Sequence, residues 1–250
     1  GLNEKGLYAA ELWATNPPNI GYPCDYRKPW LTSAEVVQML LDNCANVDEA
    51  IAQFQKVSLE GFMLFQIFGM SLDLHYFVAD SSGKTAILEY PNAKKKIYYP
   101  PVYPVMTNNF HDVSYAELSK YQGFGGTAAI PETVPYYQET SLTRFVLCCD
   151  SLVRLQDMNQ VTVDSSFMLL ERVATNNSPV TAGDSSGITT QWSAVYDLKN
   201  KVITYTSSRN PNRRTIKMNN LTFPVRNSTG GKRISVQSSD AGDITNQFND

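Results

Sequence analysis

Gly1-Leu2-Asn3-Glu4-Lys5-Gly6-Leu7-Tyr8-Ala9-Ala10-Glu11-Leu12-Trp13 opens the chain. It reads as a strand, a turn at Asn3 to Gly6, and a second strand running into Trp13. Residues 15–31 are rich in Pro, Asn and Gly and read as a loop. Thr32-Ser33-Ala34-Glu35 then has the spacing of a capping box. The helix it opens carries Val36, Val37, Leu40, Leu41 and Cys44 on one face. Asn46 and Glu49 repeat the capping signal, and Ala50, Ile51, Phe54 and Val57 form a second helical stripe.

The stretch from Phe62 to Met70 is a loop crowded with apolar side chains, as in a buried segment or the wall of an apolar pocket. Leu72 to Val78 alternates as a strand does. Asp80-Ser81-Ser82-Gly83 supplies a turn, and Lys84 to Tyr90 returns as its partner. Lys96 to Thr107 reads as a strand broken by Pro100, Pro101 and Pro104, at a sheet edge. Residues 114–122, 141–155 and 165–174 read as helices. Gln191 to Asp197, Val202 to Ser207 and Arg213 to Met218 make a strand, hairpin and strand. From Arg226 the chain is polar and reads as a loosely held tail. Two strand-rich regions flank a helical middle, which predicts an α+β protein of antiparallel sheets carrying helices on their outer faces.

Composition excludes several classes. The chain has 250 residues, 42% hydrophobic and 18% charged, with a net charge of −3. That suits a globular body with a sizeable core and gives no basic surface for nucleic acid. No apolar run approaches the roughly 20 residues needed to cross a bilayer. The four cysteines, Cys24, Cys44, Cys148 and Cys149, lack the spacing of a disulfide framework or a zinc site, so no metal is expected.

Three segments carry a resemblance. Gly1 to Leu7, the pair Thr107-Asn108 after an extended run, and Arg144 in Ser141-Leu142-Thr143-Arg144-Phe145 fall in that order. They resemble the choloylglycine hydrolase family, which includes penicillin V acylases and bile salt hydrolases. The likeness runs from Gly1 to about Phe223, giving one domain over 1–223 and a polar tail over 224–250. It implies a four-layer αββα sandwich of the N-terminal-nucleophile (Ntn) hydrolase type. It also implies hydrolysis of a linear amide by an N-terminal cysteine whose own α-amino group is the general base. No cofactor is implied.

The resemblance assigns roles residue by residue. Asn108 would donate its amide N–H to the oxyanion; by itself it reads as a turn asparagine. Trp13 would give a backbone N–H to the same oxyanion and its side chain to the substrate, against a plain reading as a core tryptophan. Arg144 lies about 200° from Leu142 around its helix. Alone it reads as a solvated arginine, but the family's arginine sits beside the nucleophile, where a cation favours thiolate. Trp13 with Phe62, Phe65 and Phe68 would line an apolar acyl pocket. Asn176 and Asn177 fall where the family has asparagine. Gly183-Asp184-Ser185-Ser186-Gly187 looks like a serine-protease motif, but its surroundings fit that family poorly.

One departure is grave. The family's N-terminal strands, with the nucleophilic cysteine, have no counterpart here, and the chain opens on Gly1. The expectation is that the nucleophile comes from a segment missing here and that these residues alone are inactive. The leading expectation is a penicillin V acylase-like amidase acting on a small acyl amide. Bile salt hydrolase is the alternative within the class; a catalytically inactive binding homologue is the alternative outside it. Homo-oligomerisation stays open. The short interval from Asn108 to Arg144 resembles the Gram-negative branch, which implies a periplasmic or secreted protein.

Overall fold

The opening turn is held by Asn3. Its buried side chain accepts from the backbone N–H of Lys5 at 3.1 Å and of Leu7 at 2.9 Å, and donates to the carbonyls of Leu41 at 2.9 Å and Cys44 at 2.8 Å. The last two lie at the end of helix α1 (Val36–Asn43), where carbonyls lack intrahelical partners. One amide thus closes a turn and caps a helix. The computed structural model describes residues 1–14, 22, 24–61, 73–133, 140–174, 190–222, 233–235 and 238–248. By its internal contacts the chain divides into two compact units, residues 1–132 with 139–150, and 133–138 with 151–250.

The first unit is built on an antiparallel sheet in the order β1-β4-β5-β6. Its strands are β1 (Tyr8–Trp13), β4 (Leu74–Ala79), β5 (Thr85–Glu89) and β6 (Lys96–Tyr98). A small parallel pair, β2 (Trp30–Thr32) with β3 (Ser58–Glu60), stands apart. Strand alternation sends Ala9, Leu74, Tyr76, Val78, Ala86 and Leu88 to one face. There they meet Val36 and Leu40 of α1 and Val47, Ala50 and Phe54 of α2 (Val47–Lys56) in one buried cluster. The caps that the sequence places open a 3-10 turn (Ser33–Glu35) leading into α1, and α2 itself. Glu35 accepts from the Thr32 backbone N–H at 2.8 Å, and Asn46 accepts from the Glu49 N–H at 2.9 Å.

The opposite face is buried too: His75, Ile87 and Glu89 are inaccessible to solvent. Helix α3 (His111–Leu118) begins beside it, and α4 (Thr140–Asp157) meets α3 through Leu118, Phe145, Val146 and Cys149. Two expectations change here. The strand expected over Lys96 to Thr107 stops at Tyr98, because Pro100, Pro101 and Pro104 have no N–H to give a ladder. The helix expected over 114–122 starts three residues earlier, at His111, where a carboxylate from β5 caps it.

The second unit holds a four-stranded sheet. Strands β7 (Trp192–Asp197), β8 (Val202–Ser207) and β9 (Asn210–Lys217) are antiparallel, and helix α5 (Val163–Val173) packs on β7. Strand β9 begins at Asn210, ahead of the expected Arg213. The loosely held tail is a further correction over Gly242–Phe248. There β10 (Gly242–Asp243) pairs in parallel with β9 at Arg214 and Thr215, and Ile244 is buried. The Ile244 N–H donates to Thr215 O at 2.9 Å, and the Lys217 N–H to Thr245 Oγ1 at 2.9 Å.

Candidate active site

Among the described residues β1 is the outermost named strand of its sheet, with Gly1 and Leu2 paired along its outer side at Ala9 and Tyr8, and its register decides where Trp13 points. Trp13 lies opposite Leu74, while the next residue, Ala14, donates its N–H to Asp73 O at 2.8 Å. Hydrogen-bonded and non-bonded pairs alternate along an antiparallel ladder. The backbone N–H and C=O of Trp13 therefore face away from β4, toward the outer side of β1. Trp13 is 43% exposed.

Asn108 meets that side. Its Nδ2 donates to Trp13 O at 2.8 Å, and its Oδ1 accepts from Arg144 Nη2 at 2.7 Å. Arginine can only donate, so it fixes the amide's orientation: oxygen toward Arg144, nitrogen toward the end of β1. Two features hold this chain of contacts. Arg144 projects from α4, and Ser141, one turn earlier, donates to Thr107 Oγ1 at 3.2 Å. Thr107 and Asn109 are buried, while Asn108 between them is partly exposed.

The structure thus brings Trp13, Asn108 and Arg144 together from three separate elements. Chemically, Asn108 offers an N–H donor whose carbonyl end is polarised by a guanidinium, beside a backbone edge with its own N–H. A carboxyl group also stands on β1. Burial pushes the Glu11 carboxyl above its ordinary range. Burial raises the thiols of Cys44 and Cys149, which keeps them protonated and unreactive near neutral pH. Phe62, Phe65 and Phe68, with Asn176, Asn177 and Gly183 to Gly187, lie outside the described residues.

One buried group escaped the sequence reading. Glu89 on β5 faces His75 on β4, and His75 Nδ1 lies 2.9 Å from Glu89 Oε1. The same carboxylate accepts the backbone N–H of His111, at 3.0 Å to Oε1 and 3.2 Å to Oε2. The signal was present in the hairpin: a turn over residues 80–83 sets a register that puts position 75 opposite 89. A carboxylate and an imidazole at facing positions of a two-sided buried hairpin are a pair to look for.

Residues 1–232 match the family model described as linear amide C-N hydrolases, choloylglycine hydrolase family. Among curated proteins, penicillin V acylase of Pectobacterium atrosepticum is 37% identical over 138 residues, which are 53% of this chain and 36% of that protein. The chain therefore spans well under half the length of that curated relative. Among solved structures, penicillin V acylase from Agrobacterium tumefaciens superposes with a TM-score of 0.72 at 27% identity, covering 99% of this chain and 75% of that one. A variant of conjugated bile acid hydrolase from Clostridium perfringens gives 0.73 at 18% identity, covering 96% and 74%, a likeness of fold. The α+β fold is the one these Ntn-hydrolase structures share.

Proposed function

The chain belongs to the choloylglycine hydrolase family of linear amide C–N hydrolases, and on that premise we propose that it forms the oxyanion side of a penicillin V acylase-like amidase. The substrate is a linear amide joining an apolar acyl group to a small polar amine. The observation that carries this reading is the contact chain from Arg144 through Asn108 to the carbonyl of Trp13, on the outer side of β1.

The chemistry follows from what an amide carbonyl needs. When a thiolate adds to it, negative charge gathers on the carbonyl oxygen. Donors already aimed at that oxygen lower the barrier without reorganising. Asn108 Nδ2 and the Trp13 N–H are such donors. Arg144 on Oδ1 holds the amide in place and draws electron density from it, which strengthens the N–H as a donor. The attacking thiol is none of the four interior cysteines. In the family reaction a terminal cysteine loses its proton to its own α-amino group, whose pKa of roughly 7.7–8.0 leaves a useful share as free base. That proton then passes to the leaving amine as the C–N bond breaks, and water hydrolyses the acyl-enzyme.

The half-exposed indole of Trp13 supports an aromatic acyl group, which stacks on it, over a bulky steroid. The test is turnover by the full-length gene product. Purified protein is assayed on penicillin V and on glycine-conjugated bile salts. Faster hydrolysis of penicillin V is expected. Absence of turnover on either would overturn the amidase reading in favour of a binding homologue, and preference for the bile salt would move it to the other branch.

A further inference from the structure

We infer that Glu89 is a positioning residue for Asn108, an inference that rests on the amidase reading above. Helix α3 starts at His111, and its N-cap residue, Phe110, has no side chain that could accept the first orphan N–H groups. Ser, Thr, Asp or Asn in that place would do so locally. Here the acceptor is instead a carboxylate on β5, twenty-two residues earlier in the chain, whose side chain is fully buried. Burying a carboxylate is costly unless it is fully bonded. Glu89 meets that condition with the His111 N–H on both oxygens and His75 Nδ1 on one. The helix N-terminus adds a favourable field.

The consequence lies in the intervening residues. Thr107 is tied to α4 through Ser141, and His111 is tied to β5 through Glu89. Asn109 O accepts from Ser114 Oγ at 3.3 Å, and Phe110 O from the Ser114 N–H at 3.0 Å. Thr107, Asn109, Phe110 and His111 are all buried. Asn108 is the partly exposed residue in a segment pinned on both sides, so β5 sets the position of its amide through Glu89. His75 in turn orients the carboxylate.

The test uses the full-length protein. Glu89→Ala should lower kcat on penicillin V by about 10-fold or more, since small displacements of a reacting group carry costs of that order, and leave KM within about twofold. Glu89→Gln keeps an acceptor for the His111 N–H and should recover most of kcat. Made on an Asn108→Ala background, either change should cause no further loss, because residues acting through one group are not additive. Independently of activity, the Asn108 side-chain ¹⁵N signals, identified by their absence in Asn108→Ala, should shift in Glu89→Ala and return in Glu89→Gln. Equal fractional losses on both backgrounds, or Asn108 signals that do not move in Glu89→Ala, would overturn the inference. If Glu89→Ala does not fold, Glu89→Gln decides through its small kcat loss, expected to vanish without Asn108. An unmodified protein with no turnover overturns the amidase reading instead, and the signals still decide the positioning.

Discussion

Asn3 and Asn108 stand in two segments that the same resemblance singled out, yet the structure uses them in opposite ways. Asn3 is buried, and its four hydrogen bonds go to backbone groups of its own turn and of the end of α1. Asn108 is partly exposed, is held by a side chain, Arg144, and points its nitrogen at a strand edge. A buried amide bonded to backbone on every side is scaffold. An amide oriented by a cation and partly exposed suits the donor role proposed for Asn108. A shared motif is therefore no guide to role until the partners of each side chain are known.

The contrast can be broken by exchanging the losses. Asn108→Ala should lower kcat about 10²–10³-fold, as removal of one oxyanion donor does, with little change in unfolding free energy. A normal kcat would reduce Asn108 to a turn residue. Asn3→Ala should do the reverse. It strands buried backbone groups, so urea unfolding should show a loss of about 2–4 kcal/mol, while kcat per folded molecule holds. A large kcat effect with intact stability would put Asn3 in the site and erase the distinction.

Acid sharpens the comparison by loading the support beneath Asn108. Burial holds the His111 imidazole below its ordinary range. Glu89 and Asp112 pull the other way, and Lys96 and His75 add to the lowering. The unfolded chain takes up that proton near pH 6.5 and the folded chain only at lower pH. Unfolded molecules thus bind more protons in that window, and stability falls as pH drops below about 6.5, by at most about 1.4 kcal/mol per pH unit for one group. Urea midpoints from pH 7.5 to 5.5 measure the slope. His111→Phe, which keeps a ring against Tyr98 and Phe145, should flatten it. An unchanged slope would assign the acid loss to other groups.

The smallest effect concerns Trp13. Trp13→Asn keeps the backbone N–H and removes the indole. The ratio of kcat/KM for penicillin V over glycocholate should fall several-fold, matching a stacking contribution of about 1 kcal/mol. An unchanged ratio would mean the exposed indole does not select the acyl group.

How much of this was legible follows from the distance over which each signal acts. The caps at Thr32 with Glu35 and at Asn46 with Glu49 were readable because they work over three residues. The apolar stripes of α1 and α2 were readable for the same reason. The contact of Arg144 with Asn108 joins residues thirty-six apart, so no periodicity marks it; it was reachable through resemblance alone. The pairing of Glu89 with His75 lies in the hairpin register, but its capping of α3 goes through a backbone N–H, which leaves no trace in residue identity. The start of α3 was misplaced with it. The anchoring of Ile244 was missed because a two-residue strand has no period to detect.

The central claim is that the end of β1 and Asn108 together receive the substrate's oxygen. A crystal structure of the full-length protein with a phenoxyacetaldehyde adduct, which mimics the tetrahedral intermediate, tests it most directly. The account predicts the adduct oxygen at about 2.7–3.1 Å from both Asn108 Nδ2 and the Trp13 backbone nitrogen. An adduct whose oxygen points away from both, with Asn108 still bonded to Arg144 and Trp13, would contradict it.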